Sequence, residues 1–444
     1  MIIATGATLF VPPLENVDLK NIFTLRSVTD AFAIREMVDM GQVKKAVVVG
    51  GGFIGLEVAE NLKHRGVDVT LFELVPHILP PFDEEIALYA QNHMKEKGVN
   101  IITGEKVTGF EGDSEGVKRV ITSVGNFEAD IVILSIGVRP NVSLAKSAGI
   151  ELGVTGAIKV NKFMETNIKD IYAAGDCVEN VNLVTGKAAW YPMGSTSNKT
   201  GRIAGQNCVS DLKDSLDGVL GTTIVKLFDI SAAKTGLSER DAIKEGFEVE
   251  TVLVPMDDRA HYYPGHKNII TKLIADKKTH RVLGAQIVGE GVTDKPIDTI
   301  ATAITFGADL EGLSKLDLAY APPFSTAMSS TLVAANVLLN KENQKVKGIN
   351  PSKLPEKIVS KEANVVDVRE EVEFFISAIP ESVNIPINEL ESRCGEIDKD
   401  GKTVILVCKV GRRAYTAYKK LKGLGYKDVK ILEGGSTAYP YEMK

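Results

Sequence analysis

Between residues 44 and 73 the chain reads "KKAVVVGGGFIGLEVAENLKHRGVDVTLFE", and no other stretch restricts the fold so tightly. The β-branched run Val47 to Val49 leads into Gly50, Gly52 and Gly55, spaced G-x-G-x-x-G. A helical stretch follows to His64, and Gly66 precedes a second strand that ends at Glu73. Each glycine has a physical task in such a turn: a tight reversal, a close backbone approach to a pyrophosphate, and the packing of helix on strand. The helix N-terminus then offers unpaired N–H groups to phosphates. Glycines also occur in strand-to-helix turns for packing alone. Here the flanking strands and an acid about 20 residues on argue for a dinucleotide. Glu73 would accept bonds from ribose hydroxyls and repel a 2'-phosphate, which favours NAD(H) over NADP(H), with His77 close enough to soften the preference. Beyond it, "DEEIALYAQNHMKEKGV" predicts a capped helix from Asp83 to Gly98. "ADIVILSIGVRPN" predicts a buried strand running into a turn at Gly137. Residues 44–136 thus read as a small Rossmann-like domain with its ligand crevice at the strand ends.

The rest of the chain is too long for one core. With 444 residues, 25% charged and 44% hydrophobic, it divides into several globular domains. A net charge of -6 with no lysine and arginine run argues against nucleic acid or an anionic membrane as partner. No apolar run is long enough to cross a bilayer, and no basic, apolar leader opens the chain, so a cytoplasmic location is expected. Cys177, Cys208, Cys394 and Cys408 lie at wide, irregular spacing without histidine clusters, which predicts neither a metal site nor a disulfide framework.

Pieces of a second nucleotide-binding domain flank the first. Thr5 and Gly6 precede it. After it comes "ETNIKDIYAAGDCVE", in which Ile171 to Ala174 form a short strand delivering Gly175 and Asp176 to its end. A carboxylate there can bond a ligand hydroxyl while the bare glycine lets the backbone approach closely. Taken alone, "AAGD" fits an ordinary turn equally well.

Together, "ATG", "GGGFIGLEVAE", "LSIGVRPN" and "T-x4-IYAAGD", in this order, resemble the flavin-dependent pyridine nucleotide-disulfide oxidoreductases, in which an NAD domain is inserted within an FAD domain. The resemblance implies that Thr5, Gly6, Gly175 and Asp176 face FAD, with Asp176 on the ribityl chain and the backbone of Met193, Gly194 and Ser195 toward the isoalloxazine. It implies that Ile54, Glu57, Glu73, Phe82 and Gly137, with the three motif glycines, hold NAD(H). From Gly221 to Asn340, alternating strands and amphipathic helices predict an α+β domain. This part resembles the dimerisation domain of the branch containing NADH oxidase, NADH peroxidase and coenzyme A disulfide reductase, and so implies a homodimer. There the "YAPPFS" segment reaches the partner's active site, which makes Tyr320 a catalytic candidate. His261, Tyr262 and Tyr263 are similar candidates that fit strand-end packing as well.

The polar, proline-containing stretch 341–357 reads as a linker. The α/β module after it, 358–444, contains "DVR", "NIP" and C-x-x-G-x-R-A, and resembles a rhodanese domain. Cys408 ends an apolar strand. Loop N–H groups, Arg412, Arg413 and a helix N-terminus follow it, surroundings that stabilise a thiolate or a persulfide anion. Asp367 and Arg369 are expected to brace this loop. Cys177 and Cys208 read as small packing residues and Cys394 as a loop residue.

In this family the "ATG" segment closes a first half that carries its own glycine turn for the flavin pyrophosphate and a redox-active cysteine. Gly50 to Gly55 is the only G-x-G-x-x-G turn in this sequence, and no cysteine precedes Cys177. The expectation is that the sequence begins partway into a longer protein. The domains expected are therefore 1–43 and 137–215 (partial FAD domain), 44–136 (NAD domain), 216–340 (dimerisation) and 358–444 (rhodanese). The function expected is an FAD- and NAD(P)H-dependent disulfide oxidoreductase acting on coenzyme A disulfide, coenzyme A persulfide or polysulfide. The alternatives are an NADH oxidase or peroxidase, or sulfur transfer alone.

Overall fold

The computed structural model describes residues 1–398 and 401–444. It forms two compact units, 1–80 with 95–223, and 81–94 with 224–444.

The first unit is organised by a five-stranded sheet in the order Ile22–Thr24, Ile131–Leu134, Lys45–Val49, Asp68–Glu73, Asn100–Thr103, every pair parallel. Val47, Val48, Leu71 and Ile131 to Ile133 are almost fully buried, as expected of parallel strands covered on both faces. Helix Phe53–His64 packs on the two central strands. A meander of Val107–Asp113, Gly116–Thr122 and Gly125–Glu128 contributes Phe110, Val117 and Val120 to a cluster with Val47 and Phe72.

The sheet corrects the expected boundary at residue 43. Ile22–Thr24 continues the ladder beside Ile131–Leu134, because that strand would otherwise leave its backbone groups unpaired. The helix after it, Val28–Asp39, starts in a capping box between Ser27 and Asp30.

The remaining part of this unit joins residues far apart in sequence. Ile2–Ile3 pairs in parallel with Tyr172–Ala173, and Ala7–Leu9 pairs antiparallel with Val138–Pro140. Ile3, Ile158, Ala173, Cys177 and Val178 form its core, so Cys177 is a packing residue.

The second unit holds two sheets. One has five strands in the order Thr223–Leu227, Ile230–Gly236, Val282–Gly289, Asn268–Asp276, Val249–Asp257, with helices Asp294–Thr305 and Ser330–Glu342 packed on it. The other is parallel, in the order Gly348–Ile349, Val429–Leu432, Thr403–Val407, Ala363–Asp367, Val383–Asn384. The stretch expected to be a linker is therefore structured. Gly348–Ile349 is an edge strand of the parallel sheet, and Leu354–Val359 is a helix seated by the buried Leu354. Its polar composition concealed the two apolar residues, Ile349 and Leu354, that anchor it.

Residues 81–94 also depart from the expected division. Lys272, 1% exposed, meets the carboxylates of Asp83, Glu85 and Glu239 at 3.0, 2.7 and 2.6 Å. A buried ammonium requires such partners, and two of them come from the start of helix Glu84–Glu96. Among the described residues no helix is long and apolar enough to cross a membrane.

Candidate functional sites

In the first unit the turn after Lys45–Val49 is shaped by contacts that leave no room for side chains. Gly50 has φ 111°, and a Cβ there would lie 2.4 Å from the Ser135 carbonyl oxygen. A Cβ on Gly55 would lie 1.9 Å from the Gly50 oxygen. Around Gly52 and Gly137, in contrast, nothing lies within 4 Å of a built Cβ, so the backbone there faces open space. Ile54 and Glu57 are exposed on the first turns of the helix.

Glu73 is 8% exposed, and its carboxylate grips the loop itself. Gly51 N–H donates to Oε2 at 2.6 Å and Val75 N–H to Oε1 at 3.0 Å. Gly51 carries no signal in the sequence because it lies off the motif spacing. A Cβ at that position would meet Glu73 Oε2 and Ile78 Cγ2, each at 3.1 Å. The buried Ser135 hydroxyl beside the loop has no partner among the described residues. An open glycine backbone with an unsatisfied hydroxyl beside it suits a polar ligand lying across the loop. Phe82 falls in the second unit and is 1% exposed, so it presents no free face to a nucleotide, contrary to expectation.

The flavin-side candidates gather at one sheet edge. Because Ile2–Ile3 and Tyr172–Ala173 run parallel, Thr5–Gly6 and Gly175–Asp176 both emerge at their C-terminal ends. Thr5 Oγ1 donates to Asn141 O at 2.6 Å, and Gly175, at φ 86°, donates to Thr200 Oγ1 at 3.0 Å. Asp176 Oδ1 accepts from Ser197 Oγ at 2.6 Å, which sets the carboxylate beside helix Gly194–Asn207. Met193 is the N-cap of that helix and no side chain caps it, so the Gly194 and Ser195 amides lie at an N-terminus suited to acceptor groups.

In the second unit Cys408 follows the strand Thr403–Val407 and is 1% exposed. Gly411, left-handed at φ 97°, turns its N–H to Cys408 Sγ at 3.1 Å, and the Ala414 N–H reaches the same sulfur at 3.4 Å. The helix Arg412–Gly423 starts there, so its positive end faces the sulfur. Arg413 forms a two-pronged pair with Glu373. That bond holds the Glu373 carboxyl below the usual carboxylate range and raises the Arg413 guanidinium further. Asp367 and Arg369 are buried against one another through Nε–Oδ1 at 3.0 Å and Nη2–Oδ2 at 2.7 Å, and Arg369 also donates to Ser377 O. Arg369 helps to hold the Glu373 carboxyl low, and Asp367 helps to hold the Arg413 guanidinium charged.

Tyr320 is half exposed and hydrogen-bonded to Tyr262, a bond that raises its phenol above the ordinary tyrosine value. The His261 and Tyr262 rings meet edge to face at 5.4 Å. A cleft of about 970 Å³ is lined by this tyrosine pair on one side and by Gly411, Arg412 and Tyr415 of the cysteine loop and its helix on the other. That volume suits a sizeable organic ligand. Spacing in the sequence gave no sign that Tyr320 and Arg412, 92 positions apart, would share one cleft.

Three family models match the chain. They are pyridine nucleotide-disulphide oxidoreductase over residues 1–190, the dimerisation domain of that family over 222–332, and a rhodanese-like domain over 350–440. An NAD(P)H sulfur oxidoreductase (CoA-dependent) from Pyrococcus furiosus is 40% identical over 339 residues, 76% of this chain and 76% of its own length. Among solved structures, an NAD-dependent persulfide reductase from A. fulgidus is 42% identical with a TM-score of 0.93, covering 99% of this chain and 80% of its own. A reduced CoADR-RHD from Bacillus anthracis is 36% identical with a TM-score of 0.91, covering 99% of this chain and 78% of its own.

Proposed function

The chain belongs to the pyridine nucleotide-disulphide oxidoreductases, and on that premise we propose that it is a persulfide or polysulfide reductase using NAD(P)H and a coenzyme A thiol, with Cys408 as its sulfur carrier. The observation that carries this reading is Cys408 Sγ held by two backbone N–H groups beside the cleft that Tyr320 and Tyr262 line. A reductase of oxygen alone has no use for that loop. The domain limits expected from the sequence are retained in this reading except at residue 43, at 81–94 and at 341–357. The working form is a homodimer in the cytoplasm.

NADH is the preferred donor, because the Glu73 carboxylate beside the glycine turn disfavours a 2'-phosphate. The turn of Gly50, Gly52 and Gly55 would receive the pyrophosphate of a bound nucleotide, with Ile54, Glu57 and Gly137 beside it. Thr5, Gly6, Gly175, Asp176 and the amides of 193–195 would hold flavin, which when bound would supply the passage of hydride from nicotinamide toward a disulfide. Asp176, already oriented by Ser197, fits a ribityl hydroxyl.

Sulfur transfer uses this chain's own groups. The Cys408 thiolate attacks the outer sulfur of a donor R–S–S⁻, an S–S bond forms at Sγ, the donor's S–S bond breaks, and R–S⁻ leaves with that electron pair. The new terminal sulfur is an anion, which the Gly411 and Ala414 N–H groups and the helix end stabilise. Arg413, fixed by Glu373, adds a cation at the loop. Tyr320 and Tyr262 orient the coenzyme A thiol that accepts the sulfur.

The test pairs two rates in one preparation, sulfur transfer from thiosulfate to cyanide and polysulfide-dependent NADH oxidation. Cys408→Ser is expected to abolish the first and depress the second. A Cys408→Ser protein that transfers sulfur at the wild-type rate sinks the proposal.

A further inference from the structure

Behind the Cys408 loop lies a buried ion pair that takes no part in sulfur transfer at Sγ. Lys341 Nζ, at the end of helix Ser330–Glu342, meets Glu433 Oε1 at 2.6 Å and Glu250 Oε1 at 2.7 Å. The Lys341 and Glu433 side chains are 10% and 6% exposed. Lys341 also donates to the Thr251 carbonyl, on the same strand as Glu250. Glu433 is seated in a notch that only glycine leaves open, since a Cβ on Gly348 would lie 2.2 Å from Glu433 Oε1.

The turn after Glu433 is the back wall of the sulfur loop. Gly434 and Gly435 are both left-handed, at φ 70° and 59°. A Cβ on Gly435 would lie 2.0 Å from the Cys408 carbonyl oxygen and 2.7 Å from that of Lys409. Ser436 N–H donates to Cys408 O at 2.9 Å, and Thr437 N–H to Lys409 O at 3.1 Å. Gly434 abuts Pro255, on the strand that holds Glu250. Contacts therefore run unbroken from Val249–Asp257 through Lys341 and Glu433 to the two carbonyls that fix the Cys408 peptide.

Stability alone does not account for the pair. Burial pushes the Glu433 carboxyl up, and its Oε2 is buried without a partner among the described residues. Apolar side chains of the same size usually serve a core as well or better. An ion pair adds a fixed distance and direction between the helix and the turn.

We propose that Lys341 and Glu433 are positioning residues that hold the Cys408 loop in its sulfur-stabilising form by tying the turn 433–437 to the dimerisation-domain helix. The inference rests on the sulfur-carrier reading of Cys408. The Gly411 and Ala414 N–H groups reach Sγ only while the Cys408 peptide is held from behind. Loosening the turn lengthens those bonds and makes the thiolate less favourable.

The experiment follows alkylation of Cys408 against pH by peptide mass spectrometry in the full chain, beside thiosulfate-to-cyanide transfer and the thermal midpoint. Lys341→Met and Glu433→Gln are expected to slow Cys408 alkylation at neutral pH about tenfold, the size of a lost backbone donor to the anion. Turnover number falls with it and KM for thiosulfate stays, while Lys341→Arg restores the wild-type profile. Profiles of folded Lys341→Met and Glu433→Gln that superimpose on wild type overturn the proposal, as does failure of Lys341→Arg to rescue. If Lys341→Met does not fold, the isosteric Glu433→Gln decides alone. A shifted profile in a protein whose wild type moves no sulfur keeps the positioning role and defeats the carrier reading.

Discussion

Two loops in this protein are built to the same plan and do opposite things with it. Each leaves the C-terminal end of a central parallel strand, Lys45–Val49 in one unit and Thr403–Val407 in the other, and runs into the N-terminus of a helix of 12 residues. At Gly50–Gly55 bare glycines let the turn close on itself at Gly50 and Gly55 and leave the backbone at Gly52 facing open space. At Cys408–Ala414 the loop curls around its own sulfur, and the N–H groups that would have met a ligand meet Sγ. The electrostatics of a helix start are common to both. In the proposed reading, one residue at the strand end, glycine in one case and cysteine in the other, decides whether the loop serves a diffusing phosphate or a sulfur carried on the chain.

The largest effect is expected at the residue that makes the loops differ. Cys408→Ser should lower sulfur transfer to cyanide by on the order of a thousandfold or more, as loss of a nucleophile does, with NADH binding by fluorescence unchanged. Weakened NADH binding in that variant would break the comparison, since it would make the two loops interdependent.

Next comes Gly55→Ala in the other loop. Its Cβ collides with the Gly50 carbonyl, so overpacking should cost about 1–3 kcal/mol in a urea titration and remove measurable NADH binding. Sulfur transfer at Cys408 should survive in the folded fraction. A variant that binds NADH as well as wild type would show that the turn yields more easily than its contacts indicate.

Arg413→Lys sharpens the sulfur side. Lysine cannot keep the two-pronged pair with Glu373, and the loss of a charge-assisted bond should slow sulfur transfer about tenfold. An unchanged rate would assign all anion stabilisation to the backbone, bringing the two loops closer in kind.

The smallest effect concerns acid stability. Burial pushes the Asp83 carboxyl up, but Lys272 and the Glu239 and Arg240 N–H groups outweigh it and hold the carboxyl below its ordinary value. A depressed folded value means that the stability Asp83 contributes is complete above about pH 4 and is lost as pH falls through the lower folded value. Between pH 5 and pH 3, Asp83→Asn should therefore lose about 1 kcal/mol less than wild type in urea midpoints. Equal slopes would remove Asp83 from the acid sensitivity.

The glycine turn, its acid and the cysteine loop were legible because each is local. Their spacing is set by one strand, one turn and one helix, and residue type alone says which atoms are missing or reactive. The inward grip of Glu73 on Gly51 was not legible, because a carboxylate's partner depends on where a 22-residue excursion returns. Nor was the placement of residues 81–94 or of Ile22–Thr24, whose partners lie more than 100 positions away.

A glycine turn with its acid, two glycine-bearing strand ends and a cysteine loop could be read from the chain alone, since each is a short-range pattern of steric and electrostatic demands. The tertiary structure decided that the turn 433–437 backs the cysteine loop, that Lys341 ties that turn to another domain, and that Tyr320 shares a cleft with Arg412. Those relations arise from burial. A charged or polar group taken from water must find its partner wherever the packed chain brings one, and sequence separation places no limit on where that is.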